Sequence, residues 1–388
     1  MLIHRAGMSR STRSRTLNMP ENSGRRDIWR SDMPDQLLFP ASIIGSMPRP
    51  DFVKDLIADD CPFSGEEVER MMGAAIRSVV ALQEAAGLDV VSDGEWRRKS
   101  YIGVIAELAH GFELSLNPVD RRPWTVVVDR LSPKSPGFIA REVAFLKTLT
   151  DRQIKATLPS PALLGERMWD AGASSKAYPS REDFVRDCVP ILRREIELLR
   201  DEGVSIIQVD DPHLCLFVDP DVRSGYSDPD RAADFAVDMD NQLVAGFNDV
   251  SLAVHLCRRA GARARGEAQH GGSYEPIMPQ LRRLDIGHIT MEFTTPGSGE
   301  MSVLRELPEN IQIGLGCVST LPGEIDSVET IVGRVEQALE YVAPERITLN
   351  PECGFAPGSA AKVNIDEVYT KLKNEVEAAR RLREKYSS

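Results

Sequence analysis

The chain has 388 residues, and 59 acidic against 47 basic side chains leave a formal net charge of −12. That balance argues against a nucleic-acid partner, because affinity for a phosphate backbone needs a basic face. With 42 % apolar and 27 % charged side chains the chain can bury a large core, which excludes disorder of the whole.

No run approaches the roughly 20 apolar residues that span a bilayer, and the start lacks the apolar stretch of a secretory signal, so a cytoplasmic protein with no membrane partner is expected. The six cysteines, at 61, 188, 215, 257, 317 and 353, are scattered along the chain, unlike a disulfide framework. They are expected as reduced thiols, small and buried unless polar ligand-type neighbours give one a further role.

Residues 1–35 are rich in Ser and Arg (Arg5, Arg10, Arg13, Arg15, Arg25, Arg26, Arg30) without apolar periodicity, and read as a disordered basic extension. An organelle transit peptide is disfavoured by Glu21, Asp27 and Asp32, and Met33 would serve as a natural beginning. From residue 36 to 388 β-branched runs alternate with amphipathic segments, which gives one catalytic domain. Leu37 to Ser46 reads as a strand. Ser64-Gly-Glu-Glu67 is a capping box that opens a helix with Val68, Met71, Met72, Ala75, Ile76, Val79 and Leu82 on one face, ending at Gly87. Strand two is Leu88 to Ser92, followed by an inserted hairpin from about Asn117 to Pro136 and a helix around Phe138 to Leu149.

The third strand is Ile154 to Leu158, and Ser180 caps a helix that runs to Gly203 and is kinked by Pro190. Strands follow at Val204 to Val209, Ser251 to Cys257, Ile289 to Phe293, Ile311 to Val318 and Ile347 to Leu349. Helices are predicted between them over 231–247, around 276–284 and over 327–342, with a last one over 365–385. Eight strands alternating with eight helical blocks favour a (β/α)8 TIM barrel. An open dinucleotide-binding sheet would want G-x-G-x-x-G after its first strand, and Ile43-Ile-Gly-Ser-Met-Pro-Arg-Pro50 does not supply it.

Barrels of this kind place their chemistry at the C-terminal ends of the strands. Those ends carry Gly45-Ser46, Asp93-Gly94-Glu95, Gln208-Val-Asp210-Asp211-Pro212, His255-Leu-Cys257, Glu292 and Glu352-Cys353-Gly354. On a strand, His255 and Cys257 leave the same face and can share one ion; imidazole with thiolate prefers zinc. Adding Cys353 and Glu292 gives a donor set with three negative charges, which makes the ion a poor activator of water and a good carrier of a thiolate. A histidine and cysteine two apart also occur by chance in ordinary cores. Glu292 counters that reading, because a buried carboxylate in an apolar run needs a partner or an ion. Asp210-Asp211-Pro212 and Asp93-Gly94 read equally well as a helix cap and a loop.

Taken in order, these motifs, with Arg97, Arg258 and Phe355 beside them, resemble those of the cobalamin-independent methionine synthase superfamily, specifically its C-terminal catalytic barrel, over nearly everything after residue 36. The resemblance implies zinc-dependent transfer of a methyl or other alkyl group to a thiol such as homocysteine. It implies His255, Cys257, Glu292 and Cys353 as zinc ligands, and Ser46, Glu95 and Asp210 as binders of the thiol substrate. Glu95 and Asp210 would hold its ammonium, Gly45-Ser46 its carboxylate, and Glu292 would yield its place to the substrate sulfur; Glu292 and Asp210 are thus the candidate catalytic residues. The full-length enzymes carry a second barrel that helps bind methylfolate, for which this sequence has no room. Gly316-Cys317-Val318-Ser319-Thr320-Leu321 lacks the Asp and His that those enzymes show there, and Asp211 stands where the D-E-P motif has Glu. The pattern is closer to the short single-barrel members, so the expected partners are a small-molecule thiol and an alkyl donor, either methylfolate or a corrinoid-bound methyl group. A homo-oligomer is compatible with the sequence.

Two other chemistries use a similar barrel. An epoxyalkane:coenzyme M transferase opens an epoxide with the same zinc thiolate, and Arg49, Arg97 and Arg98 would suit its sulfonate. A uroporphyrinogen decarboxylase-like barrel would need basic residues and no metal. A barrel that binds zinc without catalysis is the remaining alternative.

Overall fold

The computed structural model describes residues 37–116, 123–259, 270–356 and 363–387. The expected basic extension over 1–35 and the tip of the inserted hairpin lie outside the described residues.

Seven parallel strands form one curled sheet. In chain order the strands are β1 (Val90–Val91), β4 (Gln153–Pro159), β5 (Ile206–Asp210), β6 (Ser251–His255), β7 (His288–Glu292), β8 (Gln312–Val318) and β9 (Ile347–Pro351), each paired with the next. Between β9 and β1 lies the segment expected as the first strand, which makes only isolated parallel bridges, Ala41 to Leu349 and Ser42 to Val90. Leu349 N–H donates to the Pro40 carbonyl at 2.9 Å, Ser42 N–H to Leu349 at 3.0 Å, and Val90 N–H to Ala41 at 3.2 Å, so the (β/α)8 barrel closes through this short contact. The longer strand predicted over 37–46 is corrected. Pro40 has no N–H to donate and Phe39 sits at φ 49°, which breaks a ladder on its N-terminal side.

The inserted hairpin pairs β2 (Ala109–Leu116) with β3 (Pro123–Pro133), beginning earlier than the Pro-containing stretch suggested. The capping box is present: Ser64 Oγ accepts from Glu67 N–H, the Glu67 carboxylate accepts from Ser64 N–H, and helix Gly65–Ala86 ends at Gly87 with φ 96°. Helix Arg181–Asp201 accommodates Pro190. The helix expected around 276–284 is present as a 3-10 turn, Glu275–Ile277, continued by a short α-helix, Met278–Leu281. The strand predicted to reach Cys257 ends at His255. None of the described helices is long and apolar enough to cross a membrane.

Strand side chains alternate between two faces. Ile207, Val209, Leu252, Val254, Ile289, Met291, Ile313, Leu315 and Leu349 join the main apolar core. The opposite parity carries Lys155 and Thr157 on β4, Gln208 and Asp210 on β5, His255 on β6, His288, Thr290 and Glu292 on β7, and Thr348 and Asn350 on β9, all buried. Val90, Ile206 and Ala253 form a small apolar patch among them. Room for this polar layer comes from Gly314, where a Cβ would fall 2.7 Å from His288 Cε1 and 2.8 Å from Asn350 Nδ2.

Lys155 Nζ donates to the Ile43 carbonyl at 2.6 Å. Burial pushes its pKa down to about 7, with Asp210 and Glu375 opposing, whereas in the unfolded chain it titrates near ~10.4. Between these values the unfolded chain holds the extra proton, so this lysine contributes stability that grows as pH rises from 7 towards 10, and below 7 it imposes the full cost of a buried charge. Lys155→Met is therefore expected to be more stable relative to the parent at pH 6 than at pH 9. Urea midpoints at the two pH values measure this, and a difference independent of pH would refute it.

Candidate metal and thiol site

The inward parity brings the ends of β5 and β6 face to face. Asp210 pairs with His255 across the ladder, and its Oδ1 lies 3.0 Å from His255 Nδ1 while also accepting from Gln208 Nε2 at 2.8 Å. His255 Nε2 is buried and has no hydrogen-bond partner among the described residues. With Nδ1 held by a carboxylate, Nε2 is the nitrogen left to act as a ligand, the arrangement usual for metal-bound histidine.

Cys257 lies two residues past the end of β6, and Cys353 two past the end of β9. Their sulfurs are 2.8 Å apart, and the ligand atoms of His255, Cys257 and Cys353 all lie within 4.8 Å of one another. Each of the three residues is at most 5 % exposed. Arg259 N–H donates to Cys257 Sγ at 3.2 Å. One imidazole and two sulfurs in a buried pocket, with an unpartnered nitrogen, fit zinc in particular. Glu292 is buried at the end of β7 but falls outside this trio: its Oε1 accepts the Arg258 N–H at 2.9 Å. His255 and Cys257 lie at and two residues past the end of β6, and their ligand atoms come to the same side.

The neighbouring pocket is built around Glu95. Its backbone has φ 58°, a conformation that is uncommon outside glycine and often marks a functional site. The turn is held by Asp93 Oδ1 accepting from Glu95 N–H at 2.9 Å and by Arg49 Nη2 donating to the Glu95 carbonyl at 2.6 Å. Glu95 Oε1 accepts from Thr157 Oγ1 at 2.7 Å, while Oε2 is buried without a partner among the described residues. Burial raises the Glu95 pKa, Arg98 opposes this, and Asp210 adds to it. Gly45 lies against this carboxylate, since a Cβ there would be 2.7 Å from Oε1. Ser46 Oγ accepts from Ala356 N–H at 3.3 Å, and a Cβ on Gly354 would collide with that hydroxyl. The motifs at 45–46, 93–95 and 353–354 therefore meet in space.

Comparison with known proteins agrees with this geometry. Residues 39–381 match the family model for the catalytic domain of cobalamin-independent synthases. The chain belongs to the cobalamin-independent methionine synthase family. It is 27 % identical over 357 residues to a methionine synthase of Pyrococcus horikoshii, covering 89 % of this chain and 93 % of that one. A methionine synthase of Sulfolobus acidocaldarius is 26 % identical over 334 residues, 83 % of this chain and 88 % of that one. The fold is shared with a B12-independent methionine synthase from a Shewanella species, solved in complex with selenomethionine, at a TM-score of 0.73 and 23 % identity over 90 % of this chain and 98 % of that one.

Several residues of this synthase-family site are not evident from motif reading. Thr157, which holds Glu95, sits on a strand with no recognisable motif, and only its inward parity marks it. Asp210, expected to hold the substrate, also orients His255. Tyr101 lies near the trio: burial raises its pKa well above the usual range, and the neighbouring Cys257 and Asp210 charges reinforce this. Asp210→Ala is expected to weaken zinc binding by about 10–100-fold, the usual effect of removing a histidine-orienting carboxylate. Chelator competition measures it; zinc affinity equal to that of the parent would refute the orienting role.

Proposed function

We propose that this protein is a zinc-dependent thiol S-methyltransferase of methionine synthase type, acting on an amino thiol such as homocysteine. The observation that carries the reading is the buried trio of His255, Cys257 and Cys353, whose His255 nitrogen Nε2 has no partner among the described residues. These three residues, with Glu292 as fourth ligand, would hold the metal. Zinc bound there would lower the acceptor thiol's pKa from about 8.5, so that the nucleophilic thiolate dominates near neutral pH.

The remaining residues bind and orient. Glu95 Oε2 is a buried carboxyl oxygen without a partner among the described residues and so suited to receive an ammonium group, with Asp210 beside it, and the Gly45-Ser46 segment receives the carboxylate. Near-complete burial of Ser46, Glu95 and Asp210 keeps water from competing with the acceptor. The alkyl donor is methylfolate or a corrinoid-bound methyl group, and we assign the enzyme to the cytoplasm.

Residue pairing supports an amino thiol over coenzyme M. Arg98 is engaged by Glu142 and Thr157, and Arg97 by Glu69. Arg49 donates to the Glu95 and Ala356 carbonyls, leaving only its Nε without a partner among the described residues. A sulfonate would have to break such pairs, whereas an ammonium meets a Glu95 oxygen that has no partner among the described residues.

Metal analysis with a thiol and donor screen tests the reading. The parent is expected to carry one zinc per chain and to methylate homocysteine, whereas Cys257→Ala and Cys353→Ala lose both properties. Full zinc in both variants would sink the ligand assignment, and alkylation of coenzyme M but not of homocysteine would sink the acceptor. Glu95→Gln should keep its zinc and raise KM for the amino thiol by about tenfold or more, as loss of a buried charge-assisted bond implies; an unchanged KM would count against the ammonium role.

A further inference from the structure

At the end of β7 the regular ladder runs out before Glu292. The last β6 contact is Leu256 N–H donating to the Thr290 carbonyl at 2.9 Å, after which the chain turns away. On the β8 side Glu292 remains in register, paired with Gly316. On the β6 side its peptide groups are met by two side chains. Glu292 N–H donates to Tyr274 Oη at 2.9 Å, and the Glu292 carbonyl accepts from Tyr274 Oη at 3.4 Å and from Arg258 Nη1 at 3.2 Å.

The two side chains are locked together. Arg258 Nη1 donates to Tyr274 Oη at 2.9 Å, and the guanidinium carbon lies 4.1 Å from the centre of the Tyr274 ring. Arg258 Nη2 reaches the Gly272 and Ser298 carbonyls at 2.9 and 3.3 Å. Both residues are at most 2 % exposed. The tyrosine hydroxyl thus accepts twice and donates once, its full capacity. The Arg258 N–H meanwhile holds the Glu292 side chain.

Resting on the zinc reading above, we propose that Arg258 and Tyr274 are positioning residues that replace the missing strand beside Glu292, fixing its backbone so that its carboxylate can serve a metal held by His255, Cys257 and Cys353. Because the peptide groups on both sides of Glu292 are pinned, the carboxylate moves only about its own side-chain torsions, between the Arg258 N–H and the ion. A buried arginine bound to three backbone carbonyls and a tyrosine is otherwise a costly way to fill a core, which gives this cage a reason beyond packing.

Tyr274→Phe removes the hydroxyl and keeps the ring. Chelator competition is expected to show zinc held about 10–100-fold more weakly. In the cobalt-loaded protein the sulfur-to-metal absorption should persist while the d–d bands change as they do in Glu292→Gln. In a Glu292→Gln background the same substitution should alter zinc affinity within about twofold, because the residue it positions is already lost. Unchanged zinc affinity in Tyr274→Phe, or an equal loss with and without Glu292, would overturn the proposal. Arg258→Lys carries the same comparison should Tyr274→Phe not fold. A parent protein that binds no zinc would overturn the proposed function and this inference together, whereas a zinc-loaded parent with an indifferent Tyr274→Phe overturns the clamp alone.

Discussion

Each strand of the barrel turns alternate side chains inward, and in this protein that inward set is polar. Lys155, Thr157, Gln208, His288, Thr290, Thr348 and Asn350 occupy positions that apolar side chains usually fill in such barrels. Polar groups out of water need partners, and several of these have them: Lys155 holds the Ile43 carbonyl, Gln208 Nε2 the Ile44 carbonyl and Asp210, and His288 the Thr348 hydroxyl. The barrel interior is therefore a hydrogen-bonded support for the rim above it. Lys155 and Gln208 fasten the segment just before Gly45-Ser46, which joins the sheet through two isolated bridges among the described residues.

The same parity links support to chemistry. Gln208, Asp210 and His255 form a continuous chain, in which one carboxylate oxygen receives both an amide and an imidazole. That chain sets which nitrogen of His255 is presented to the sulfurs. On the far side Thr157 plays a comparable part for Glu95, leaving one carboxyl oxygen without a partner among the described residues. Orientation by neighbours decides what each rim side chain can bind.

Loops supply what strands cannot. Cys257, Arg258 and Arg259 form a turn in which successive N–H groups face Glu292 and Cys257, with Arg259 at φ 60°. Such paired amides favour negative charge on the groups they face. Cys353 returns on the loop after β9, beside Gly354, whose lack of a side chain lets Ser46 approach. Two of the three donor groups thus come from the end of β6 and the third from the end of β9, brought together by the curl of the sheet.

By itself the sequence determined the alternation of strands and helices, the capping box at Ser64, and the short motifs whose order marks the family. These depend on neighbours within a few residues, where spacing fixes geometry. The extent of the first strand is not legible in the sequence, because Pro40 and Phe39 interrupt a ladder that apolar content alone suggests. Tertiary structure alone decided that Asp210 orients His255, and that Tyr274 and Arg258 stand in for an absent strand beside Glu292. Each of these contacts spans residues distant in sequence or lies past a strand end, where no periodicity constrains the backbone and only closure of the barrel brings the atoms together.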